Sequence, residues 1–178
     1  LTSSNHQYDA RFYTLAPDSY LGNEYLFPVP SLYMPSGEYS GYYAPTALYL
    51  RGYQDATEVY IQTASSTTGP INLNKGDLYR YEMPSMPDGV HEGDYAVRLY
   101  TLDPAKKFQV IFSADDNGPH LDWGQEVLPT NFLSDDYFVA SAPANPLYIT
   151  PLYDNTTVFV DENHDGTPER QFVLNRYQ

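Results

Sequence analysis

The sequence predicts an all-β protein: an antiparallel β-sandwich of jelly-roll or immunoglobulin-like type, built from a duplicated strand unit and carrying little helix. Composition is the first reason. The 178 residues include 19 Tyr, 8 Phe, 15 Pro and 11 Gly. Aromatic and β-branched residues suit a pleated, half-buried surface, and Pro and Gly punctuate it. Periodicity is the second reason. No stretch sustains a helical apolar period over several turns, whereas short apolar runs bounded by turn residues recur along the chain. Internal repetition is the third. Leu48 to Gln62 (LYLRGYQDATEVYIQ) aligns without a gap with Leu147 to Asp161 (LYITPLYDNTTVFVD), and Leu73-Asn74 then matches Leu174-Asn175. Ala16 to Phe27 (APDSYLGNEYLF) has its own echo in Leu128 to Val139 (LPTNFLSDDYFV). Two ungapped matches in the same order point to tandem duplication rather than to chance likeness between β-rich segments.

In chain order, residues 1–15 read as an N-terminal arm ending in an edge strand at Ala10–Leu15. Residues 16–127 form a first β unit. Residues 128–178 form a second, truncated unit, packed in the same sandwich or continuing beyond the chain. Strands are expected at Leu26–Val29, Ala47–Arg51, Glu58–Thr63, Leu78–Met83, Tyr95–Leu102 and Phe108–Ser113. Four more are expected at Tyr137–Ala140, Leu147–Ile149, Thr156–Val160 and Gln171–Leu174. Ser31–Ala44 (SLYMPSGEYSGYYA) reads as a long surface loop, since Pro, Gly, Ser and Tyr dominate it. The DPAKK link (103–107) reads as a hairpin turn, and the uninterrupted FQVIF (108–112) as a central strand buried on both faces. The second copy reaches only Gln178, the counterpart of Asp77. The missing strands are therefore expected from a longer parent or from a neighbour in an assembly.

The chain carries 23 acidic against 9 basic residues, a formal charge of −14. Phosphate binding needs clustered Lys and Arg, so nucleic acid is not an expected partner. Calcium, a basic protein or plain solubility fits this balance better. There is no cysteine, which suits a reducing compartment or a surface protein stabilised by metal. No apolar run has the length of a membrane span. Leu1 opens the chain without a charged n-region or an apolar h-region, as expected of a processed product or an excised segment.

The sharpest chemical signal is the acidic turn at Asp161. Asp161-x-Asn163-x-Asp165-Gly166 places three oxygen-bearing side chains at alternate positions, with a glycine for the tight bend. That spacing lets a short loop wrap a hard cation, with the Thr167 carbonyl and the Glu169 carboxylate completing the shell. The turn resembles the opening of EF-hand and dockerin calcium loops, but Phe172 stands where those carry a bidentate acid, and strands flank it. A solvated hairpin tip would use the same residue types. The aligned TASSTTGP (63–70) has no acid, so the acids are not needed merely to turn the chain.

A second candidate is Ala114–Glu126, with Asp115, Asp116, Asn117, Asp122 and Trp123. Trp123 could stack on a pyranose ring while the acids bond hydroxyls, or Asp115, Asp116 and Asn117 could hold a second metal. Trp123 could equally be a packing anchor after a core strand. Paired carboxylates among Asp115, Asp122 and Glu126 leave a glycosidase reading open, with nothing to set their separation. There is no nucleophile elbow, since GEYSG (37–41) has its serine one position late, and His91-Glu92 lacks a second histidine for a zinc helix.

Taken together, Leu147–Gln178, Phe108–Ser113 (FQVIFS) and Glu126–Phe138 (EVLPTNFLSDDYF) resemble repeats of bacterial extracellular proteins related to the IgGFc-binding-protein N-terminal domain. The likeness runs from about residue 20 to the end and rests on strand–acidic turn–strand patterns. It implies a β-rich surface or adhesive module without implying immunoglobulin binding, and it carries over no binding residue. The expected function is a non-enzymatic structural or adhesive sandwich at the cell surface or in a filament, stabilised by calcium. Its partners would be copies of itself or neighbouring surface-protein domains. A carbohydrate-binding module reading glycans through Trp123 and exposed tyrosines is the alternative.

Overall fold

The structure, a computed structural model, describes residues 17–34, 42–87, 90, 93–114, 123–137, 139 and 147–178. In chain order the strands are β1 (Glu24–Phe27), β2 (Ser31–Met34), β3 (Tyr42–Ala44), β4 (Thr46–Gly52), β5 (Thr57–Gln62), β6 (Thr67–Leu73) and β7 (Leu78–Glu82). They continue as β8 (Ser85–Pro87), β9 (Val97–Thr101), β10 (Phe108–Ala114), β11 (Trp123–Glu126), β12 (Thr156–Val160) and β13 (Arg170–Leu174). The helical content of the described residues is two 3-10 turns, Asp18–Tyr20 and Thr130–Phe132. No helix among them is long and apolar enough to cross a membrane.

Two four-stranded antiparallel sheets, ordered β1-β9-β5-β6 and β11-β10-β4-β7, make an all-β sandwich. Period-two alternation builds it. Val97, Leu99 and Thr101 of β9 point inward and are buried, while Arg98 and Tyr100 face out. Thr57, Val59 and Ile61 of β5 repeat the pattern. From the other sheet Leu48 and Leu50 of β4 and Phe108, Val110 and Phe112 of β10 meet them in one core. Burying each such side chain contributes about 1.5–3 kcal/mol. Tyr25–Phe108 and Phe27–Phe112 ring pairs, 4.9 and 4.8 Å between centroids, join the layers. A smaller sheet, β3-β2-β8, stands beside the sandwich, with β2 and β8 parallel.

Several elements differ from expectation. DPAKK is a crossover, not a hairpin turn: β9 and β10 belong to opposite sheets. Each has one apolar face, and facing each other across the interior buries both. The link closes on itself, with Ala105 N–H on the Asp103 carboxylate (2.9 Å) and the Thr101 hydroxyl on the Asp103 carbonyl (2.8 Å). β10 is central, but only one face is fully buried; Gln109 and Ile111 stay half-buried. Ser31–Ala44 is not all loop, because β2 and β3 pair at its two ends and buried Ser31 anchors it by accepting the Thr46 N–H (2.9 Å). Residues 35–41 and the arm 1–15 lie outside the described residues. Thr67 to Pro70, read as part of a turn, belong to β6.

The C-terminal ribbon β12–β13 reproduces the base of β5–β6. Thr57 pairs with Leu73 and Thr156 with Leu174. Asn74 Oδ1 accepts the Ala56 N–H (3.2 Å), and Asn175 Oδ1 accepts that of Asn155 (3.1 Å). Asp55 accepts the Lys75 N–H (2.9 Å) and Asp154 that of Arg176 (3.0 Å). Left-handed residues also correspond: Ala56 (φ 49°) with Asn155 (57°), and Gly76 (90°) with Tyr177 (75°). The upstream blocks agree too. Pro17 and Pro129 each precede a 3-10 turn, and the Gly22 and Ser134 N–H groups donate to the hydroxyls of Tyr25 (2.9 Å) and Tyr137 (2.7 Å). Tyr20 and Phe132, at matching positions, stack on each other at 4.8 Å.

The copies differ at Gly52. Gly52 donates its N–H to the Asp77 carbonyl (3.0 Å) and lies so close to the turn that a Cβ there would sit 2.1 Å from the Asn74 carbonyl oxygen. Its counterpart is Pro151, which has no N–H and carries a ring. Leu147–Ile149, expected as a strand, is accordingly irregular. Tyr137 is likewise not in a strand; Phe138 and Ala140 of that expected element lie outside the described residues. The ribbon is held to the first sheet instead by Tyr177, which packs with Leu26, Ala96 and Leu152 and accepts the Ala96 N–H (3.1 Å).

Two outcomes follow from this packing. Tyr25→Phe will cost about 1–3 kcal/mol in urea unfolding, because the buried hydroxyl that accepts from Gly22 and donates to the Phe108 carbonyl is lost. Ala56→Asn, borrowing the residue of the second copy at a left-handed position, will raise stability by about 1 kcal/mol in the same assay.

Candidate functional site

The acidic turn forms the tip of the β12–β13 ribbon. Its alternating polar residues fold it by bonding the backbone a few residues on, as Asx turns do. Asp161 accepts the N–H groups of His164 (2.6 Å) and Gly166 (2.8 Å) on its two oxygens. Asn163 Oδ1 accepts from Asp165 (2.9 Å), and Asp165 Oδ1 from Thr167 (2.8 Å). Glu169 reaches back to the Glu162 N–H (2.6 Å) and to the Asn163 amide, while its own N–H donates to the Val160 carbonyl (3.0 Å). His164 (φ 61°) and Gly166 (φ 88°) supply the left-handed steps that the bend needs.

The result gathers Asp161, Asp165 and Glu169, with one carboxylate oxygen from each lying within 4.8 Å of the others. Asn163 donates its amide to Glu169 and accepts the Asp165 N–H, and Thr167 joins the loop through its N–H to Asp165. Each carboxylate oxygen keeps lone pairs beyond those that the N–H groups occupy, so the set suits a hard cation with oxygen preference. The N–H of Gly166, and after it those of His164 and Asp165, hold the Asp161 carboxyl below the ordinary carboxylate value. Arg170 reaches Glu162 at 2.6 Å, but both are exposed and the pair adds little.

The second sequence candidate is not assembled in the same way. Asp115, Asp116, Asn117 and Asp122 lie outside the described residues, as do His6, His91 and His120. Trp123 opens β11, opposite Ala114 on β10. Glu126, at the other end of β11, accepts a hydrogen bond from Gln109 (3.0 Å) and is half-buried.

Beside the ribbon lies an open cleft of about 340 Å³, lined by Asp136, Tyr137, Phe159, Asp161 and His164. Asp136 and Tyr137 carry no local motif. Their signal was the alignment itself, which sets Asp136 against Glu24 and Tyr137 against Tyr25. No protein-family model matches the chain, and comparison with curated proteins and with solved structures returns no match.

The Asp161 contacts set a pH response. A carboxyl whose folded value is depressed lends stability above its unfolded value and loses it as pH falls through the folded one. In an NMR titration the His164 and Gly166 amide signals will therefore move with a midpoint below 3.8, the ordinary Asp value. Asp161→Asn will abolish that step.

Proposed function

We propose that the chain is a non-enzymatic structural or adhesive module of a cell-surface or filament-forming protein, in which calcium rigidifies the β12–β13 ribbon. The observation that carries the reading is the approach of carboxylate oxygens of Asp161, Asp165 and Glu169 to within 4.8 Å of one another in a loop held by side-chain to backbone hydrogen bonds. Calcium at this point is held by Asp161, Asn163, Asp165 and Glu169, with the Thr167 carbonyl as a further ligand. It offsets the mutual repulsion of the acids in a chain of net charge −14. The ligand set lacks a bidentate acid at the usual closing position, so the affinity is of the weak class, about 0.1–1 mM. Such a site fills where calcium is millimolar, which is the reason for an extracellular placement. The resemblance to IgGFc-binding-protein N-terminal repeats supports the same setting, and the ribbon's apolar residues suit contact with neighbouring sandwich units.

Calcium at about ten times its dissociation constant will add about 1.4 kcal/mol of stability, raising Tm by about 3–6 °C. EDTA will reverse the rise, magnesium will not reproduce it, and the double variant Asp165→Asn, Glu169→Gln will not respond. A melting curve that ignores both calcium and EDTA removes the metal from this reading.

A further inference from the structure

The cleft beside the ribbon corresponds to a place that is filled elsewhere in the molecule. In the first sheet β9 lies between β1 and β5, paired with both. Its outward Arg98 is held by Glu24 of β1 (2.6 Å) and Gln62 of β5 (3.2 Å), and the guanidinium sits 4.2 Å above the Tyr100 ring. Tyr100 in turn stacks on Tyr60 of β5, 5.6 Å between centroids. Leu99 lies in register with Tyr25 on one side and Ile61 on the other.

The β1 and β5 residues just named have counterparts at or beside the cleft. In the sequence alignments Glu24 becomes Asp136, Tyr25 becomes Tyr137, Tyr60 becomes Phe159, Ile61 becomes Val160 and Gln62 becomes Asp161. Asp136, Tyr137, Phe159 and Asp161 all line it. Among the described residues β12 pairs with β13 alone, and none of them forms a strand on its β9-side edge. The strand's own sequence does not guard that edge. Thr156–Val160 has neither charge nor proline, whereas the sandwich's outer strands β1, β6, β7 and β11 carry Glu24, Pro70, Arg80 and Glu126. Phe159 and Val173 are 60% and 62% exposed.

From this correspondence we infer that β12 accepts an added antiparallel strand with the apolar–basic–apolar–aromatic pattern of β9, supplied by another unit of the same build. Its basic side chain lies between Asp136 and Asp161, two carboxylates where Arg98 has one carboxylate and one amide. Its aromatic ring stacks on Phe159, and its second apolar residue falls between Tyr137 and Val160. Main-chain hydrogen bonds along β12 provide the affinity, and the cleft provides the selectivity. The inference rests on the module reading and names what that module binds.

The test is a titration of the full chain with a labelled peptide of the β9 sequence, YAVRLYTL (residues 95–102), in calcium and in EDTA. Saturable binding is expected. It will weaken at least tenfold for the peptide with Arg98→Glu, and to the same extent for the chain variants Asp136→Lys and Phe159→Asp, both at exposed positions. Protection of the β12 amides from hydrogen exchange will accompany binding. No saturation at millimolar peptide, or binding indifferent to those three changes, overturns the inference. The two readings separate cleanly. Failure of the peptide alongside a calcium-dependent Tm removes the strand site alone, and peptide binding alongside a calcium-blind Tm removes the metal alone.

Discussion

A two-stranded ribbon with one apolar face is not stable in water until something covers that face, and this constraint organises the molecule. β5–β6 meets it twice over. β9 pairs along the β5 edge, and the second sheet lies across Val59, Ile61 and Leu73. The chain must then change sheets between β9 and β10, so that Val97 and Leu99 look inward at Phe108 and Val110. The Tyr25 hydroxyl adds to the Gly22–Phe108 bridge between the layers, satisfying the Gly22 N–H and the Phe108 carbonyl inside the core. The β12–β13 ribbon inherits the same pattern with less cover. Val158 and Val160 are only half-buried, where Val59 and Ile61 are fully buried.

The acids are distributed to match. Arg98 bridges β1 and β5 at a part-buried position and orders the outer face of that sheet. At the ribbon tip the neighbours of the carboxylates are mostly backbone N–H groups. These orient the side chains without cancelling their charge. A loop of this kind is shaped by its own backbone, so a ligand binding there would need little further ordering.

Much of this was legible in the residues. Thr156–Val160 and the strand after Glu58 follow from alternation, and the tip follows from Asp161-x-Asn163-x-Asp165-Gly166. What escaped did so for identifiable reasons. β6 contains Gly69-Pro70, which reads as a turn but is tolerated on an edge strand. β2, β3 and β8 are short and interrupted by Pro and Gly, and long-range partners define them rather than local propensity. DPAKK carries the residues of a hairpin turn, yet it crosses between the sheets. Turn residues do not reveal which face of the next strand is reused, and here that choice decides between hairpin and crossover. The part played by Asp136 was invisible because it depends on the Glu24–Arg98 contact, known only once strands 1 and 9 lie side by side.

The base of the ribbon has a mechanical side. Both of its strands enter and leave at one end, so a tension drawing residues 154 and 176 apart would peel the ladder open rung by rung from there, a low-force geometry. The first rungs to be loaded are the side-chain bonds from Asn175 to Asn155 and from Asp154 to Arg176. The acidic tip, at the far end, would feel the pull last and keep its shape until the ribbon had already parted.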